Sequence, residues 1–306
     1  MARRPTEPEI LQARRRSREA YRLLAPALVL LAVFFAYPIL WLLYVSTTVY
    51  NPVTSTSRTV WLAHYSRVLS SPEWWRSILN MAYFAGVYVP VTLAVAGVLA
   101  LLLRRGVAGR PFLKAVFCSP CAVPVVAAAL IWRAGYLARQ GPIDRLLYMA
   151  GYDHPFGWAG WLAEPYLAMP CIALMCVWRD AGLVALILLS ALGRIPVETY
   201  EMARVDGASR WQQFRSITLP LCGGTFGLCL ILLVINVQAL FQEIYVMTED
   251  GGPANWTVSI PFLVYRKAYI DYEWGQAAAL SVVLFALTVV IIVIQNRLLS
   301  RRLDWS

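Results

Sequence analysis

The side chains best suited to bind a polar solute lie inside apolar stretches of the sequence. Arg179 and Asp180 interrupt an apolar run between residues 166 and 192. If that run spans a membrane, the arginine costs about 3 kcal/mol at the bilayer centre, so it should face a cavity or a partner charge. Asp180 points about 100° away around a helix, so the spacing does not assure a direct pair. Two interpretations follow for Arg179: binding of solute hydroxyl or phosphate groups, or a buried structural pair with another span or subunit.

Four more polar residues lie in the apolar run between residues 221 and 245. On one continuous helix, Asn236 and Glu243 share one face, whereas Gln238 and Gln242 share another. Polar groups within a span either line a path or bond to neighbouring helices. We therefore expect one pair to face the path and the other to bond to neighbouring spans.

The sequence predicts neither a catalytic site nor a metal site. His64 and His154 have no nucleophile constellation near them. Cys118 and Cys121 share a helix face, yet no second cysteine pair or histidine cluster completes a zinc site. The six cysteines are interpreted as small apolar filler.

Composition indicates that lipid is the solvent of these stretches. Of 306 residues, 59% are hydrophobic and 14% are charged, and the mean hydropathy is +0.59. Soluble domains are about one-quarter charged. The net charge of +10 does not indicate nucleic acid binding, because the basic residues cluster between apolar runs. We predict an all-α, polytopic membrane protein with about six transmembrane helices.

Six stretches reach the roughly 20 apolar residues that a helical span needs. The third and fourth are the least regular, because they carry Pro120, Pro124 and Pro170. The predicted spans are Leu23–Tyr44, Ile78–Leu103, Phe112–Trp132, Tyr166–Leu192, Leu221–Tyr245 and Ala277–Ile294.

The basic residues predict the orientation. With a cytoplasmic N-terminus, the inner segments hold 18 of the 27 Lys and Arg residues and the outer segments hold 8. The positive-inside rule therefore places both termini in the cytoplasm. The predicted organisation is a basic tail (1–22), a first span with its outer loop (23–75), a transmembrane domain (76–298) and a short tail (299–306). The last outer loop is predicted over Thr248–Gln276.

A cytoplasmic loop at 195–221 within the transmembrane domain predicts two short helices joined by a bend. Residues 198–205 favour a helix, and Gly207 allows a positive φ at the bend. Residues 208–217 resume a helical pattern, and Leu219-Pro220 is expected to end it. The second helix has an apolar face of Trp211, Phe214 and Ile217. This face has to be buried on the bilayer or in a groove of a soluble partner.

The loop resembles the coupling loop of permeases from binding-protein-dependent ABC importers. That pattern is Glu-Ala-Ala, three residues, Gly, nine residues and Ile-x-Leu-Pro. It is matched here by Glu201, Ala203, Asp206, Gly207, Ala208, Phe214, Ile217, Leu219 and Pro220. The sequence departs from it at Met202, and at Gly223-Gly224, where a further Pro is common. Residues 24–51, 141–151 and 248–281 also resemble carbohydrate permeases of the maltose and glycerol-3-phosphate type.

The resemblance implies a type I ABC importer permease in a bacterial cytoplasmic (inner) membrane. Its implied partners are a second related permease subunit in a heterodimer, two copies of a cytoplasmic ATPase and an extracytoplasmic solute-binding protein. ATP and Mg would be bound by the ATPase, because this sequence has no phosphate-binding Gly-x-x-x-x-Gly-Lys-Ser/Thr loop. No cofactor and no enzymatic activity are expected of this chain.

The resemblance also implies roles for individual residues. Glu201 would contact the ATPase, Ala203 and Ala208 would allow close approach, and Gly207 would permit the bend; Asp206 and Phe214 complete the implied coupling set.

Trp178 and Phe241, which lie in predicted spans, are expected either to stack on a sugar ring or to pack against other side chains. The predicted substrate-pathway residues are Trp178, Arg179, Asp180, Asn236, Gln238, Phe241, Gln242 and Glu243.

Two other functions are weighed against the importer. A secondary transporter or channel predicts inverted repeats or acidic residues in the spans, and only Asp180 and Glu243 are such residues. A membrane enzyme would need clustered His or acidic ligands, and the sequence shows none.

Overall fold

The computed structural model describes residues 21–51, 56–104, 109–137, 141–151, 160–249 and 251–303, and these are almost entirely helical. A short antiparallel hairpin, β1 (Thr48–Asn51) and β2 (Thr56–Thr59), pairs Thr48 with Thr59. In chain order the helices are α1 (Tyr21–Ser46), α2 (Ala63–Leu69), α3 (Pro72–Arg104), α4 (Arg110–Cys118), α5 (Val125–Gly135), α6 (Pro142–Met149), α7 (Pro165–Leu192), α8 (Val197–Val205), α9 (Arg210–Gln213), α10 (Gly223–Gln238), α11 (Gln242–Thr248), α12 (Ile260–Tyr265) and α13 (Trp274–Leu303).

Four of the six predicted spans are single helices. The helices α1, α3, α7 and α13 are each long and apolar enough to cross a membrane, and they contain the predicted first, second, fourth and sixth spans. Pro170 does not interrupt α7. The predicted basic tail lies almost wholly outside the described residues, as does His154.

The third predicted span is bent instead of straight, and the fifth begins at a bend with the second helix of the 195–221 loop. Residues 111–122 and α5 meet at 97°, and residues 210–221 meet α10 at 71°. The first bend falls where Val123 is extended (φ −75°, ψ 127°), because Pro124 excludes the helical conformation from the residue before it. At the second bend the helical turn that includes Leu219-Pro220 ends at Leu221, one residue beyond the predicted end.

The core is built around α7. In the most apolar 18-residue stretch of α7, 72% of the residues are buried. In the corresponding stretch of α1, none of the residues is buried. The α7 helix packs along α3 over much of their length, and α5, α10 and α11 add further contacts. Most side chains in the middle of α7 are therefore surrounded by protein.

The last predicted outer loop folds back into the molecule instead of lying on the surface. The Ser259 hydroxyl donates to the Leu240 carbonyl, and the Asn80 side chain donates to the carbonyls of Asn255 and Val258, both at 2.9 Å. Residues Ile260, Phe262 and Leu263 of α12 are each 1% exposed. The segment thus contacts the turn between α10 and α11 at Leu240, and α12 packs against α13.

Gly182 allows the bent third span to touch the backbone of α7. A Cβ atom at this position would overlap the Phe117 carbonyl, and the Cys118 thiol lies 3.6 Å from the Gly182 carbonyl oxygen. Because the Phe117 carbonyl is a backbone group, it cannot make room for a Cβ atom by changing a side-chain rotamer.

Gly182→Ala is expected to destabilise the folded chain by about 1–3 kcal/mol, because overpacking forces the backbone to shift. The unfolding midpoint of the purified protein in detergent should fall by about 2–10 °C. The matched control is Gly86→Ala in α3, where an added Cβ meets nothing within 4 Å. Equal midpoints for the two variants would contradict this close approach.

Candidate functional site

Arg179 is paired inside the protein with two carboxylates. Its Nε and Nη2 atoms donate to the two carboxylate oxygens of Asp180, at 2.9 and 3.1 Å, and its Nη1 atom donates to Oε1 of Glu243 at 3.0 Å. The Arg179, Asp180 and Glu243 side chains are 12%, 14% and 9% exposed. We call these three residues the ion cluster. With all three groups ionised it carries one surplus negative charge.

Tyr88 extends the ion cluster to two more helices. Its hydroxyl donates to Oδ2 of Asp180 at 2.6 Å and accepts a 3.4 Å hydrogen bond from Nδ2 of Asn236. The tyrosine is 1% exposed. Side chains from α3, α7, α10 and α11 therefore meet at one point. Sequence analysis missed Tyr88, although a tyrosine within an apolar span signals a hydroxyl that needs a partner.

The geometry decides what the sequence left open about Arg179. Asp180 is a direct partner, because the long arginine side chain reaches its neighbour across the helix surface. The structural interpretation required a negative charge from another span or subunit. Glu243, on α11, supplies that charge. Nε, Nη1 and Nη2 of Arg179 are each engaged by a carboxylate, which favours the structural pair over solute binding.

The prediction of shared faces in the fifth span rested on a continuous helix and is wrong. The helix α10 ends at Gln238, and a turn over residues 239–241 precedes α11. Asn236 and Glu243 nevertheless meet, through Tyr88 and the ion cluster. Gln242 is exposed, and Oε1 of Gln238 is buried without a hydrogen-bond partner in the described part of the chain.

Trp178 and Phe241 both pack against other aromatic rings. The Trp178 ring lies 5.8 Å from that of Trp132 and is 37% exposed. The Phe241 ring lies 5.7 Å from Tyr245 and 5.2 Å from Tyr265. Among the described residues, no group of three or more His, Cys, Asp or Glu side chains is arranged to hold a metal ion.

The 195–221 loop is a folded unit of two helices and a bend. The first helix is α8, Gly207 adopts a φ of +77°, and Ser209 begins α9 with a capping box that it forms with Gln212. The helix then continues as a π-turn over Phe214–Thr218. This confirms the predicted bend and the predicted positive φ of Gly207. The second helix begins at Arg210, two residues after the predicted start at residue 208.

Hydrogen bonds hold the two helices of the loop together. The Ala208 amide donates to the Ala203 carbonyl at 2.9 Å, and the buried Gln213 side chain donates to the Ala208 carbonyl at 2.9 Å. The hydroxyls of Tyr200 and Thr218 lie 2.9 Å apart. A cavity of about 350 Å³ opens beside the bend, lined by Ala203, Asp206, Gly207, Ala208, Gln212, Gln213, Ser216 and Ile217.

The loop is attached to α3 and leaves apolar surface uncovered. The Arg104 guanidinium lies over the Tyr200 ring, 4.4 Å from its centroid, and donates to the Ile195 carbonyl at 3.4 Å. Glu201, Asp206 and Gly207 are exposed, whereas Ala203, Ala208 and Phe214 are half-buried. The exposed apolar side chains of the loop include Met202 (62%), Val205 (88%) and Trp211 (66%).

Comparison with known proteins identifies the family. Residues 10–305 match the family model described as the binding-protein-dependent transport system inner membrane component. The chain belongs to this family. It is 32% identical to the trehalose/maltose transport system permease protein MalF of Thermococcus litoralis, over 89% of this chain and 90% of the relative. It is 30% identical to an ABC transporter permease of Pyrococcus horikoshii, over 88% and 91%.

The fold is that of a solved importer. A bacterial ABC transporter involved in the import of the acidic polysaccharide alginate gives a TM-score of 0.81 at 21% identity, over 95% of this chain and 98% of that one. The predicted all-helical permease architecture is thereby confirmed. This member of the family is a multi-pass transport subunit and not an enzyme, and ATP hydrolysis belongs to a partner subunit.

Arg179→Gln should strongly destabilise the permease, because it leaves two buried carboxylates facing each other without a cation. Breaking a buried ion pair costs about 3–5 kcal/mol. The yield of folded protein and its unfolding midpoint in detergent should both fall. Adding Glu243→Gln to Arg179→Gln should restore part of the loss. The control is Arg67→Gln, an exposed arginine of α2; equal stability of Arg179→Gln and this control would refute the ion cluster.

Proposed function

We propose that this permease forms half of the translocation pathway of an ATP-driven importer for a sugar or sugar-like solute. The similarity to a trehalose/maltose permease over most of both chains supports carbohydrate as the solute class. Within this class we propose an oligosaccharide, a disaccharide or a glycerol phosphate as the solute.

The observation that carries the ATP-driven mechanism is the folded 195–221 loop. The loop combines exposed apolar side chains with a rigid attachment to α3. Exposed apolar surface rimmed by polar groups is typical of a protein interface. In the proposal, Glu201 and Asp206 contact a cytoplasmic ATPase, Ala203 and Ala208 allow its close approach, and Gly207 sets the bend. Phe214, whose ring stacks on exposed Trp211 at 5.6 Å, completes the surface for the ATPase.

The assembly proposed around this chain has further subunits. A second, related permease completes the pathway as a heterodimer, two copies of the ATPase bind ATP and Mg, and an extracytoplasmic binding protein delivers the solute. Both termini face the cytoplasm of a bacterial cell, and the complex lies in the cytoplasmic (inner) membrane. This chain itself binds no cofactor.

A secondary transporter or channel is the competing function. An ion-coupled protein of this class is expected to have inverted repeats, or an acid in its spans that is free to exchange a proton or bind an ion. Asp180 and Glu243 are instead both bound to Arg179. This pairing favours the ATP-driven importer.

The proposed function is tested by purification and transport. A tagged chain expressed with the genes beside it should co-purify with an ATPase and a second permease. In proteoliposomes, the complex with its binding protein should take up a neutral disaccharide such as maltose or trehalose only with ATP inside. A chain that purifies alone and transports without ATP would overturn the proposal.

Gly207→Val should abolish uptake while leaving membrane insertion intact. A left-handed conformation costs an ordinary L-residue about 1–2 kcal/mol, and a β-branched side chain tolerates it least. The added Cβ meets no other atom within 4 Å, so the effect comes from backbone conformation alone. Gly207→Asn is the matched control and should keep most of the uptake, because Asn adopts this conformation readily. Equal uptake by the two variants would show that the bend is not required.

A further inference from the structure

An apolar cavity lies where the 195–221 loop joins the spans. Its volume is about 400 Å³. The helix α3 supplies six of its wall residues, all between positions 93 and 101. The other walls include Leu188 and Leu192 of α7, Phe214 of the loop and Phe226 of α10. We call this space the joint cavity.

The wall of the joint cavity offers almost nothing to a polar molecule. The hydroxyl among its wall residues, that of Thr218, already lies 2.9 Å from the Tyr200 hydroxyl. A buried water needs about two to four polar partners, so water has no stable place here. An empty cavity would forfeit the dispersion contacts of the wall atoms. The joint cavity is therefore expected to hold an apolar group.

The joint cavity opens on the apolar outer surface of the chain. Val98 and Leu219 belong to its wall and are 58% and 42% exposed. Leu102 and Leu221, close to these two in sequence, are 48% and 59% exposed. An apolar cavity of about 150 Å³ holds one benzene molecule, so this cavity has room for roughly 16 carbon atoms. One lipid acyl chain has about this size.

Helix geometry sets the extent of the wall along the span. Arg104 ends α3, and the wall residues of this helix lie about 5–17 Å from it along the helix axis. One leaflet supplies about 15 Å of hydrocarbon, half of a core about 30 Å thick. The wall thus matches the length of an acyl chain whose head group lies at the level of Arg104.

The charge around the joint cavity suits an anion. The described arginines within four positions of a wall residue are Arg104, Arg194, Arg210 and Arg215, and no Asp or Glu lies that close in the sequence. All of them except Arg104 are exposed. Arginine binds phosphate oxygens through its planar fork of N–H donors. An apolar tail with a phosphate at one end combines both requirements.

We propose that the joint cavity binds one acyl chain of an anionic phospholipid, taken from the leaflet on the side of the 195–221 loop. The acyl chain fills the space between α3, α7 and the turn over Phe214–Thr218, and the phosphate of its head group lies among the arginines. The lipid therefore contacts the loop and the spans at once. This site goes beyond the transport function and does not depend on which solute is carried.

The competing occupant is a helix of the second permease. Small residues let helices approach closely, and Ala94, Gly97 and Ala100 all belong to the wall. A related permease, however, carries its own basic residues on the same side of the membrane by the positive-inside rule. Its approach would place like charges against the arginines of this chain, whereas a lipid phosphate neutralises them.

The test uses the permease purified with the subunits that accompany it and reconstituted into phosphatidylcholine membranes. These membranes contain a small fraction of phosphatidylglycerol with a photoactivatable diazirine in one acyl chain. After illumination, mass spectrometry of the digested chain locates the labelled residues. The label should concentrate on the wall residues of α3, α7 and α10, and a phosphatidylcholine with the same diazirine should label them much less.

Two variants with matched controls test the cavity and its charge separately. Gly97→Leu should lower the labelling of the wall to background, because an added Cβ at this wall position meets nothing within 4 Å and the side chain fills the cavity. Gly86→Leu, at an exposed glycine of the same helix with equal space, should keep the parent labelling. Arg215→Gln should lower the labelling by about fivefold, and Arg67→Gln, on α2, should not change it.

The possible results separate the occupants. Equal labelling of Gly97→Leu and Gly86→Leu, or equal labelling by the two lipids, refutes the lipid site. If the wall stays unlabelled in the parent complex and a photo-crosslinker attached to Val98→Cys reaches the second permease, the cavity is a subunit interface and the proposal is wrong. Recovery of folded complex is measured for every variant; if Gly97→Leu does not assemble, the two lipids and Arg215→Gln decide. None of these results bears on the solute, which the uptake assay tests by itself.

Discussion

A buried arginine must find its counter-charges within the protein, and much of this permease is organised around that constraint. Arg179 lies on α7, the most enclosed of the long helices, and its carboxylate partners come from α7 itself and from α11. Tyr88 brings in α3 and Asn236 brings in α10. Because desolvated charges are stable only when every partner is in place, the cluster fixes the relative positions of four helices.

The helix α3 joins this cluster to the cytoplasmic loop. Tyr88 contacts the cluster, and Arg104, at the end of the same helix, holds the loop through Tyr200 and Ile195. About 24 Å of helix separates the two residues. A partner that moves the loop would therefore act on α3, which continues as helix through Pro90 to Tyr88, one of the groups that pair with the ion cluster. This connection gives the proposed coupling a physical route from motor to pathway.

The sequence predicted the features that local physics controls. Apolar length gave the four straight spans, and glycine's access to positive φ gave the bend at Gly207. Pro120 and Pro124 marked the third span as irregular, and its 97° bend falls at Pro124, whereas the close approach of Phe117 to Gly182 joins distant parts of the chain. The break after Gln238 carries no glycine or proline, so no local signal predicted it. The burial of α12 and the meeting of Tyr88 with Asp180 depend on contacts between distant parts of the chain, which periodicity does not encode.

The most direct test of the account is whether a cytoplasmic ATPase contacts the 195–221 loop. Val205, 88% exposed on α8, is replaced by Cys in a chain whose Cys118 and Cys121 are Ser; the new thiol is labelled with a maleimide that carries a photoactivatable diazirine, and the assembled complex is illuminated so that the diazirine inserts into neighbouring bonds. The account predicts a cross-link between residue 205 and the ATPase, with a yield that changes when ATP is added. It also predicts that a Cys at Leu146, 67% exposed on α6, forms no such cross-link. A residue 205 that cross-links to no other subunit, or that is labelled only from the outer side of the membrane, would contradict it.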